Sequence, residues 1–364
     1  MLEEKFRGIW RMRFFKGYVK GLIGRALFNL KILGLIKIFV NGYKANANDQ
    51  GQFVFPYITK RVNNNFQILT YHRVNDEEDL FFGGMPINIF SLQMEYASTH
   101  YHVLSLVEAV ERMERRDLPE NALVVTFDDG YKDNYQHAFP VMRKFSIPAT
   151  IFLVTQPIED SKMLWHDRVF SAFRQTSNTA LSSYGKDAQT FSLHTIREKK
   201  LAQNHVLNFL RSLDDEERSL WVERLIEKLG VEITEDVQSL MLNWVEVREM
   251  NREGISFGAH TLSHPILSKL SLERAKQEIC ESKSLIEKKI QTPVHTFAYP
   301  NGRNEDFNES TKQILKDCGI MCAVTTVFGS NEKGCDLLEL RRGGAWEYSL
   351  SSFAMKMNWY KFRH

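Results

Sequence analysis

Short apolar runs alternate with longer amphipathic stretches along most of this chain. Phe66 to Tyr71 reads as a buried strand, Leu104 to Glu114 as a helix, and Ala122 to Phe127 as a β-branched strand ending in Asp128-Asp129-Gly130. Ala149 to Val154, Ile255 to Ala259, Val294 to Ala298 and Met321 to Thr326 are further short apolar runs, and Leu272 to Ile290 carries a helical period between two of them. Buried strands alternating with helices predict βα units and a mostly parallel sheet or barrel. Residues 160 to 245 break the alternation and predict an all-helical insertion. Within it Asp215 is placed to cap a helix with apolar positions Val222, Ile226 and Leu229, and Gly230 to end it.

Charge divides the chain. Its 364 residues carry 47 Lys and Arg against 45 Asp and Glu, a net charge of +2 that argues against a globally basic nucleic-acid binder. Yet Lys5 to Asn48 holds ten basic residues, no acidic ones, and the aromatics Trp10, Phe14, Phe15, Tyr18, Phe28 and Phe39. Residues 1–59 therefore read as a basic, aromatic-rich extension, 60–350 as the barrel with its insertion, and 351–364 as a tail. The extension is expected either to contact an anionic membrane surface through residues 5–48 or to pack as helices on the barrel. Lys20, Arg25, Lys31 and Lys37 interrupt its apolar stretch, so no membrane-spanning helix is expected. Four cysteines (Cys280, Cys318, Cys322, Cys335) make no disulfide framework and read as small buried thiols in a reducing compartment. With no standard signal peptide in evidence, a cytoplasmic location is expected, with the inner face of the membrane as a site of association.

Four constellations carry chemistry, each at the end of an apolar run. Thr126-Phe127-Asp128-Asp129-Gly130-Tyr131 puts two carboxylates where a glycine lets the chain turn, and strand ends at a barrel mouth are where catalytic groups sit. Asp-Asp-Gly is also ordinary turn chemistry. His260-Thr261-Leu262-Ser263-His264 spaces two histidines four apart, which on a helical turn places both on one face to hold a metal ion together with an Asp. Phe297-Ala298-Tyr299-Pro300-Asn301-Gly302 is a rigid turn suited to aiming a backbone N–H at an oxyanion. Tyr71-His72-Arg73 puts a histidine at the first strand's end, as general acid or as a hydrogen-bonded structural residue.

In this order the motifs resemble the polysaccharide deacetylases, over roughly residues 60 to 350. The resemblance implies a distorted (β/α) barrel, usually of seven strands, that hydrolyses the N-acetyl group of an amino-sugar glycan, polymeric or lipid-linked. It implies Asp128 as base, Asp129, His260 and His264 as ligands of a divalent metal, and Asn301 at the oxyanion. Zinc suits these ligands best, with cobalt, nickel and iron also suited. Tyr131, Tyr299 and Pro300, from the same motifs, are substrate-binding candidates. The chain departs from the common pattern in two places. Phe297 stands where many members carry an Arg oriented toward the base, and the late strand Leu338 to Arg342 lacks the His that supplies the acid. Branches with an FAYP-type third motif place a histidine in an early Tyr-His pair, which makes His72 the implied acid. The departures keep open a catalytically impaired, glycan-binding module. An Asp with two His is also the ligand set of non-haem iron oxygenases, against which the βα alternation argues.

Overall fold

The computed structural model describes residues 65–185, 188–233 and 237–360. The basic extension at 5–48, and the membrane contact expected of it, lie outside them.

The strands are β1 (Asn65–Tyr71), β2 (His102–Val103), β3 (Ala122–Phe127), β4 (Ala149–Leu153), β5 (Ala180–Tyr184), β6 (Gln189–Ser192), β7 (Ser256–Ala259), β8 (Thr296–Ala298), β9 (Cys322–Val324), β10 (Asn331–Glu332) and β11 (Gly343–Gly344). The main helices are α1 (Ile87–His100), α2 (Leu106–Arg115), α3 (Phe139–Lys144), α4 (Thr155–Asp160), α5 (Trp165–Gln175), α6 (Ile196–Ser212), α7 (Asp215–Leu229), α8 (Trp244–Arg252), α9 (Leu272–Ile290), α10 (Glu309–Asp317) and α11 (Leu350–Tyr360).

The principal sheet runs β10-β1-β3-β4-β7-β8-β9, with β2 beside β3 and β11 beside β1. The pairs from β1 through β9 are parallel, and β10 is antiparallel to β1. The chain from Leu340 to Gly344 spans the remaining gap. Leu340 bridges Val324 of β9, while Gly343 and Gly344 pair with Leu69 and Thr70 of β1. The result is a curled, distorted (β/α) barrel whose parallel strands all end on one rim. Alternate strand residues enter different apolar clusters, as strand geometry requires. Leu69, Leu123, Val125, Phe127, Ile151 and Leu153 join a cluster with α1, α3, α8 and α9, whereas Ile68, Val124, Phe152, Val324 and Leu340 join one with α2.

Four expectations change. The insertion is not all helical, because β5 and β6 form an antiparallel hairpin in it. That hairpin is bulged between Leu181 and Tyr184, which spoils the two-residue alternation by which a strand is recognised. With α5, α6 and α7 it builds a separate core of Val169, Phe173, Leu181, Tyr184, Val206, Leu210 and Leu225. The cap of α7 is Asp214, one residue earlier than expected, accepting from the Glu217 N–H, and Gly230 ends the helix in a left-handed conformation. Nor are all four cysteines separate thiols. Cys280 of α9 and Cys318 after α10 are joined as a disulfide across the α9–α10 packing, 38 residues apart in sequence, with Cα atoms 5.8 Å apart. No local spacing signals such a pair. Finally, most of residues 351–364, a tail in the sequence reading, belongs to α11, which buries Phe353, Met357 and Tyr360.

Candidate functional site

The last residues of β3 set up the centre. Asp128 N–H continues the ladder by donating to Tyr71 O at 3.0 Å, after which Asp129 and Gly130 adopt φ of 73° and 84°. Gly130 is required twice over, since a Cβ there would also lie 2.7 Å from the Leu153 side chain. Both carboxylates are therefore buried at the rim.

The histidine segment after β7 is a loop and not the helical turn its spacing suggested. Thr261 and His264 take φ of 71° and 62°, unusual for residues with a Cβ. A side chain from another element holds this geometry. The fully buried Glu278 of α9 accepts from the Leu262 and Ser263 N–H groups at 2.8 and 2.9 Å and from Ser263 Oγ at 2.7 Å. Arg274 Nη2 donates to the same carboxylate at 2.7 Å.

Three groups converge. Asp129 Oδ1 lies 3.6 Å from His260 Nε2 and 3.5 Å from His264 Nε2, and one ligand atom from each of the three residues falls within 4.8 Å of the others. His260 Nδ1 pairs with Ala298 O at 2.7 Å, which fixes the proton there and leaves the Nε2 lone pair toward Asp129. Asp129 Oδ1 is buried without a hydrogen-bond partner. Burial, then the neighbouring Asp128, pushes the Asp129 carboxyl well up. Burial also pushes His260 down to about 4 and, reinforced by His166, His264 well below the ordinary range. Two neutral imidazoles and a buried carboxylate with lone pairs aimed at one point are the donor set a divalent cation requires, and without a cation they are an expensive arrangement. The residues fit the metal.

Asp128 sits beside this set and belongs to a different network. Arg342 Nη1 and Nη2 donate to its two oxygens, each at 2.8 Å, in a bidentate pair with the guanidinium wholly buried. Nε of the same guanidinium donates to Thr325 O at 2.8 Å and Nη1 to Thr70 Oγ1 at 3.0 Å, so the fork is anchored to both strands that it bridges. Burial alone would raise the Asp128 carboxyl. Arg342 outweighs that effect and, with His260 and His72, holds it down at about 2. Asp128 is thus an ionised carboxylate at neutral pH, as a base must be. The departure at Phe297 is compensated from the barrel-closing segment.

His72 follows β1 with Nε2 4.0 Å from Asp128 Oδ2 and keeps a third of its side chain exposed. Its backbone is tied down, since Asn134 Nδ2 donates to His72 O at 2.8 Å and Asp133 accepts from Arg73 Nε and Asn75 Nδ2 at 2.8 and 2.7 Å. Burial lowers its pKa, with Asp128 opposing and Arg342 adding to the effect. Asn301 follows β8 with φ of 57°, and its Nδ2 is buried without a partner among the described residues.

The tyrosines of the motifs face inward. The Tyr299 ring is buried, stacked on Phe307 at 4.1 Å, with its hydroxyl donating to Leu338 O, and Pro300 beside it is buried as well. Tyr131 is buried too, donating to Asp167 Oδ1 at 2.9 Å and lying 3.2 Å from His166 Nε2. The structure uses both tyrosines to brace the rim. Through Tyr131 the insertion reaches the centre, and the His166 ring stands 4.9 Å from that of His264. Sequence reading missed Arg342, Glu278 and the His166-Asp167 pair. Glu278 left a signal, as an acid on the apolar face Ala275, Ile279, Ser282, Ile286 of α9.

A family model described as polysaccharide deacetylase matches residues 115–323. A putative polysaccharide deacetylase of Bacillus subtilis, YxkH, is 24% identical over 277 residues, covering 76% of this chain and 69% of that protein. The poly-beta-1,6-N-acetyl-D-glucosamine N-deacetylase of Staphylococcus epidermidis is 30% identical over 133 residues, 33% of this chain and 44% of its own length. Among solved structures, Streptococcus pyogenes deacetylase PplD in complex with acetate aligns with a TM-score of 0.56 at 20% identity, over 81% of this chain and 97% of that one. IcaB from Ammonifex degensii aligns with a TM-score of 0.53 at 18% identity, over 82% and 97%. These two likenesses bear on the fold. Because the family model matches more than half of this chain, the chain belongs to the polysaccharide deacetylases, carbohydrate esterases that act on carbon–nitrogen bonds.

Proposed function

We propose that this deacetylase hydrolyses the acetamide of N-acetylglucosamine units in a β-linked glycan of the poly-β-1,6 type, using a divalent metal, zinc by preference, held by Asp129, His260 and His264. The observation that carries this reading is the adjacency of two differently tuned carboxylates. Asp129 faces two neutral imidazoles, and Asp128, next in the chain, is locked ionised by Arg342. When bound, the metal supplies Lewis acidity toward the acetamide carbonyl and the attacking water. Asp128 accepts the proton of that water on a carboxylate oriented by the guanidinium fork. The unpartnered amide of Asn301 supplies a donor for the developing oxyanion, beside the turn's backbone N–H. His72 gives its proton to the departing amine, being near the base and open to the cleft. The glycan resemblance to the staphylococcal relative supports the substrate class.

The test is acetate release from β-1,6- and β-1,4-linked N-acetylglucosamine oligomers by protein reloaded with zinc, cobalt or nickel after chelation. Release from neither linkage with any metal would leave the glycan-binding, catalytically impaired reading. We also propose that residues 5–48 hold the domain at an anionic membrane surface on its cytoplasmic side, about 1 kcal/mol per engaged basic residue. Binding to anionic vesicles is then salt-sensitive and lost when residues 1–48 are removed. The cytoplasmic placement requires reduced Cys280 and Cys318 in the cell. Recovery of the bonded form after rapid alkylation would overturn it.

A further inference from the structure

A buried cation outside the centre carries more partners than its charge demands. Lys312 of α10 keeps only 7% of its side chain exposed, and its ammonium meets three carboxylates, Glu309, Asp336 and Glu339, each at 2.7 Å. One carboxylate is enough to pair a buried ammonium. Glu309 supplies it from the same helix, three residues away. Asp336 and Glu339 come from another part of the fold, 24 and 27 residues further along the chain. Burial alone would lower the Lys312 pKa. The hydrogen bonds to Asp336, Glu309 and Glu339 outweigh it and hold the ammonium above its ordinary range, so the cluster stays charged at neutral pH.

The two distant acids bracket the single 3₁₀ turn, Leu337–Glu339, that leads into the barrel-closing segment. Asp336 Oδ2 accepts from the lysine while its Oδ1 accepts from the Leu338 N–H at 2.8 Å, so one carboxylate both caps the turn and ties it to α10. No long strand places the chain beyond the turn, since β11 has two residues. The segment follows the end of β9 instead. The Leu340 N–H donates to Ala323 O at 2.9 Å, Leu340 O accepts from the Thr325 N–H at 2.8 Å, and the Arg342 N–H donates to Val327 O at 2.9 Å. Three residues after Glu339 the chain delivers the guanidinium that grips Asp128. The clasp pulls against a fixed support, because Cys318 at the end of α10 is joined to Cys280 of α9.

We propose that Lys312 is a positioning residue for the reaction: by clasping Asp336 and Glu339 it fixes where the closing segment begins, and thereby where the Arg342 fork meets the base. It acts through the segment and not on the reacting atoms. The need follows from geometry. A bidentate pair works only when the fork is held within about 0.5 Å and 10–20° of its partner, and Arg342 stands on a connecting segment rather than a long strand. A lysine that already has a partner on its own helix gains little from two more unless the segment that they hold must stay in place. The kinetic consequence rests on the deacetylase reading, whereas the placement of Arg342 does not.

The experiment compares the metal-loaded full chain with Lys312→Met, Lys312→Arg and Glu309→Gln on N-acetylglucosamine oligomers. In Lys312→Met kcat should fall about tenfold, short of the roughly 10²-fold that a 1 Å misplacement can cost, with KM and bound metal unchanged. Lys312→Arg should recover most of that loss. Glu309→Gln removes an ion pair of the same lysine without touching the closing segment and should leave kcat as in wild type. In an Arg342→Lys background, where the planar fork is gone, Lys312→Met should cost far less. Native kcat in folded Lys312→Met would overturn the role, as would an undiminished loss in the Arg342→Lys background. Should the wild type release no acetate, the catalytic reading fails separately, and hydrogen exchange of the guanidinium Nε–H groups, followed by NMR, decides the placement alone. The Arg342 signal is the one missing from Arg342→Lys. In Lys312→Met the Arg342 Nε–H, donating to Thr325 O, should exchange about tenfold faster, while the Arg73 Nε–H on Asp133 keeps its rate. Equal acceleration of both would mean general loosening, and acceleration of neither would mean that the segment holds itself; each result overturns the proposal.

Discussion

Replacing Arg342 with methionine removes a charge and five N–H donors while keeping most of the apolar volume, so it isolates what the guanidinium does for Asp128. In the native protein the two charges face each other through a pair of 2.8 Å bonds, both buried. At a separation of about 4 Å and an effective dielectric of about 20 their attraction is about 4 kcal/mol. Breaking a buried pair from one side costs roughly 3–5 kcal/mol. The variant should therefore lose stability on that order. The sign of its pH dependence should change as well. With Arg342 present the Asp128 carboxyl is held at about 2, below its unfolded value, so its contribution is complete above roughly pH 4 and is lost as pH falls toward 2. Without Arg342, burial is the largest influence left and raises the carboxyl above its unfolded value. The folded state then binds the extra proton, so the contribution of this site is complete below the unfolded value of about 4 and is lost as pH rises through the raised one. A protonated Asp128 accepts no proton from water, so turnover should fall by about 10²–10⁴-fold at pH 7. Arg342→Lys restores charge without the planar fork and should fall between the two. The assay is thermal unfolding at pH 5 and pH 8 with acetate release on the same metal-loaded preparations. A methionine variant with native turnover and an unchanged pH slope of stability would refute the assignment of Arg342 as the partner that keeps the base ionised.

Asp128→Asn should retain stoichiometric metal by elemental analysis while losing about 10²–10⁴-fold in turnover, whereas His260→Ala and His264→Ala should lose the metal itself. Glu278→Gln should weaken metal affinity by competition titration about tenfold and alter the visible spectrum of the cobalt form, since it loosens the loop between the two histidines without touching the ion. A cobalt spectrum identical to wild type would show that the loop holds itself. Asp79 of the β1 loop is held below its ordinary range chiefly by Arg174 of α5 against the opposing effect of burial, so this tie to the insertion is present above the unfolded value of about 4 and lost as pH falls through the depressed one. Protease cleavage between residues 160 and 245 should accordingly rise in Asp79→Asn at pH 7, and wild-type resistance there would remove the tie from the account.

The barrel was legible because its strands are buried on both faces and end in motifs. Ala122–Phe127 and Leu272–Ile290 fall where the apolar period puts them. What the period misses depends on contacts rather than composition. The bulged hairpin β5–β6 sets exposed Ser182 and Ser183 between buried Leu181 and Tyr184, so only its partner strand identifies it, and α11 buries one face of a segment whose apolar positions show no clear helical period in the sequence. Cys280 and Cys318 are neighbours because α9 packs on α10, a fact that exists only once both helices are placed.

The centre shows the same division more sharply. Asp128, Asp129, His260 and His264 sit within two short motifs, and their convergence needs only that β3 and β7 end on one rim. The groups that set their protonation and geometry come from elsewhere in the chain. Arg342 reaches Asp128 across 214 residues, and Glu278 reaches the histidine loop from a helix whose apolar face it interrupts. A motif can lose such a partner at its own position, as at Phe297, and have the same charge supplied from the closing segment, because the base responds to where a guanidinium lies and not to which strand carries it. An absent motif residue therefore argues for an impaired site only when no buried partner replaces it. Here Thr70, Thr325 and Asp128 together satisfy a fully buried guanidinium. An ion pair this deep keeps Asp128 ionised beside a donor set shaped for a cation, the combination on which the proposed amide hydrolysis rests.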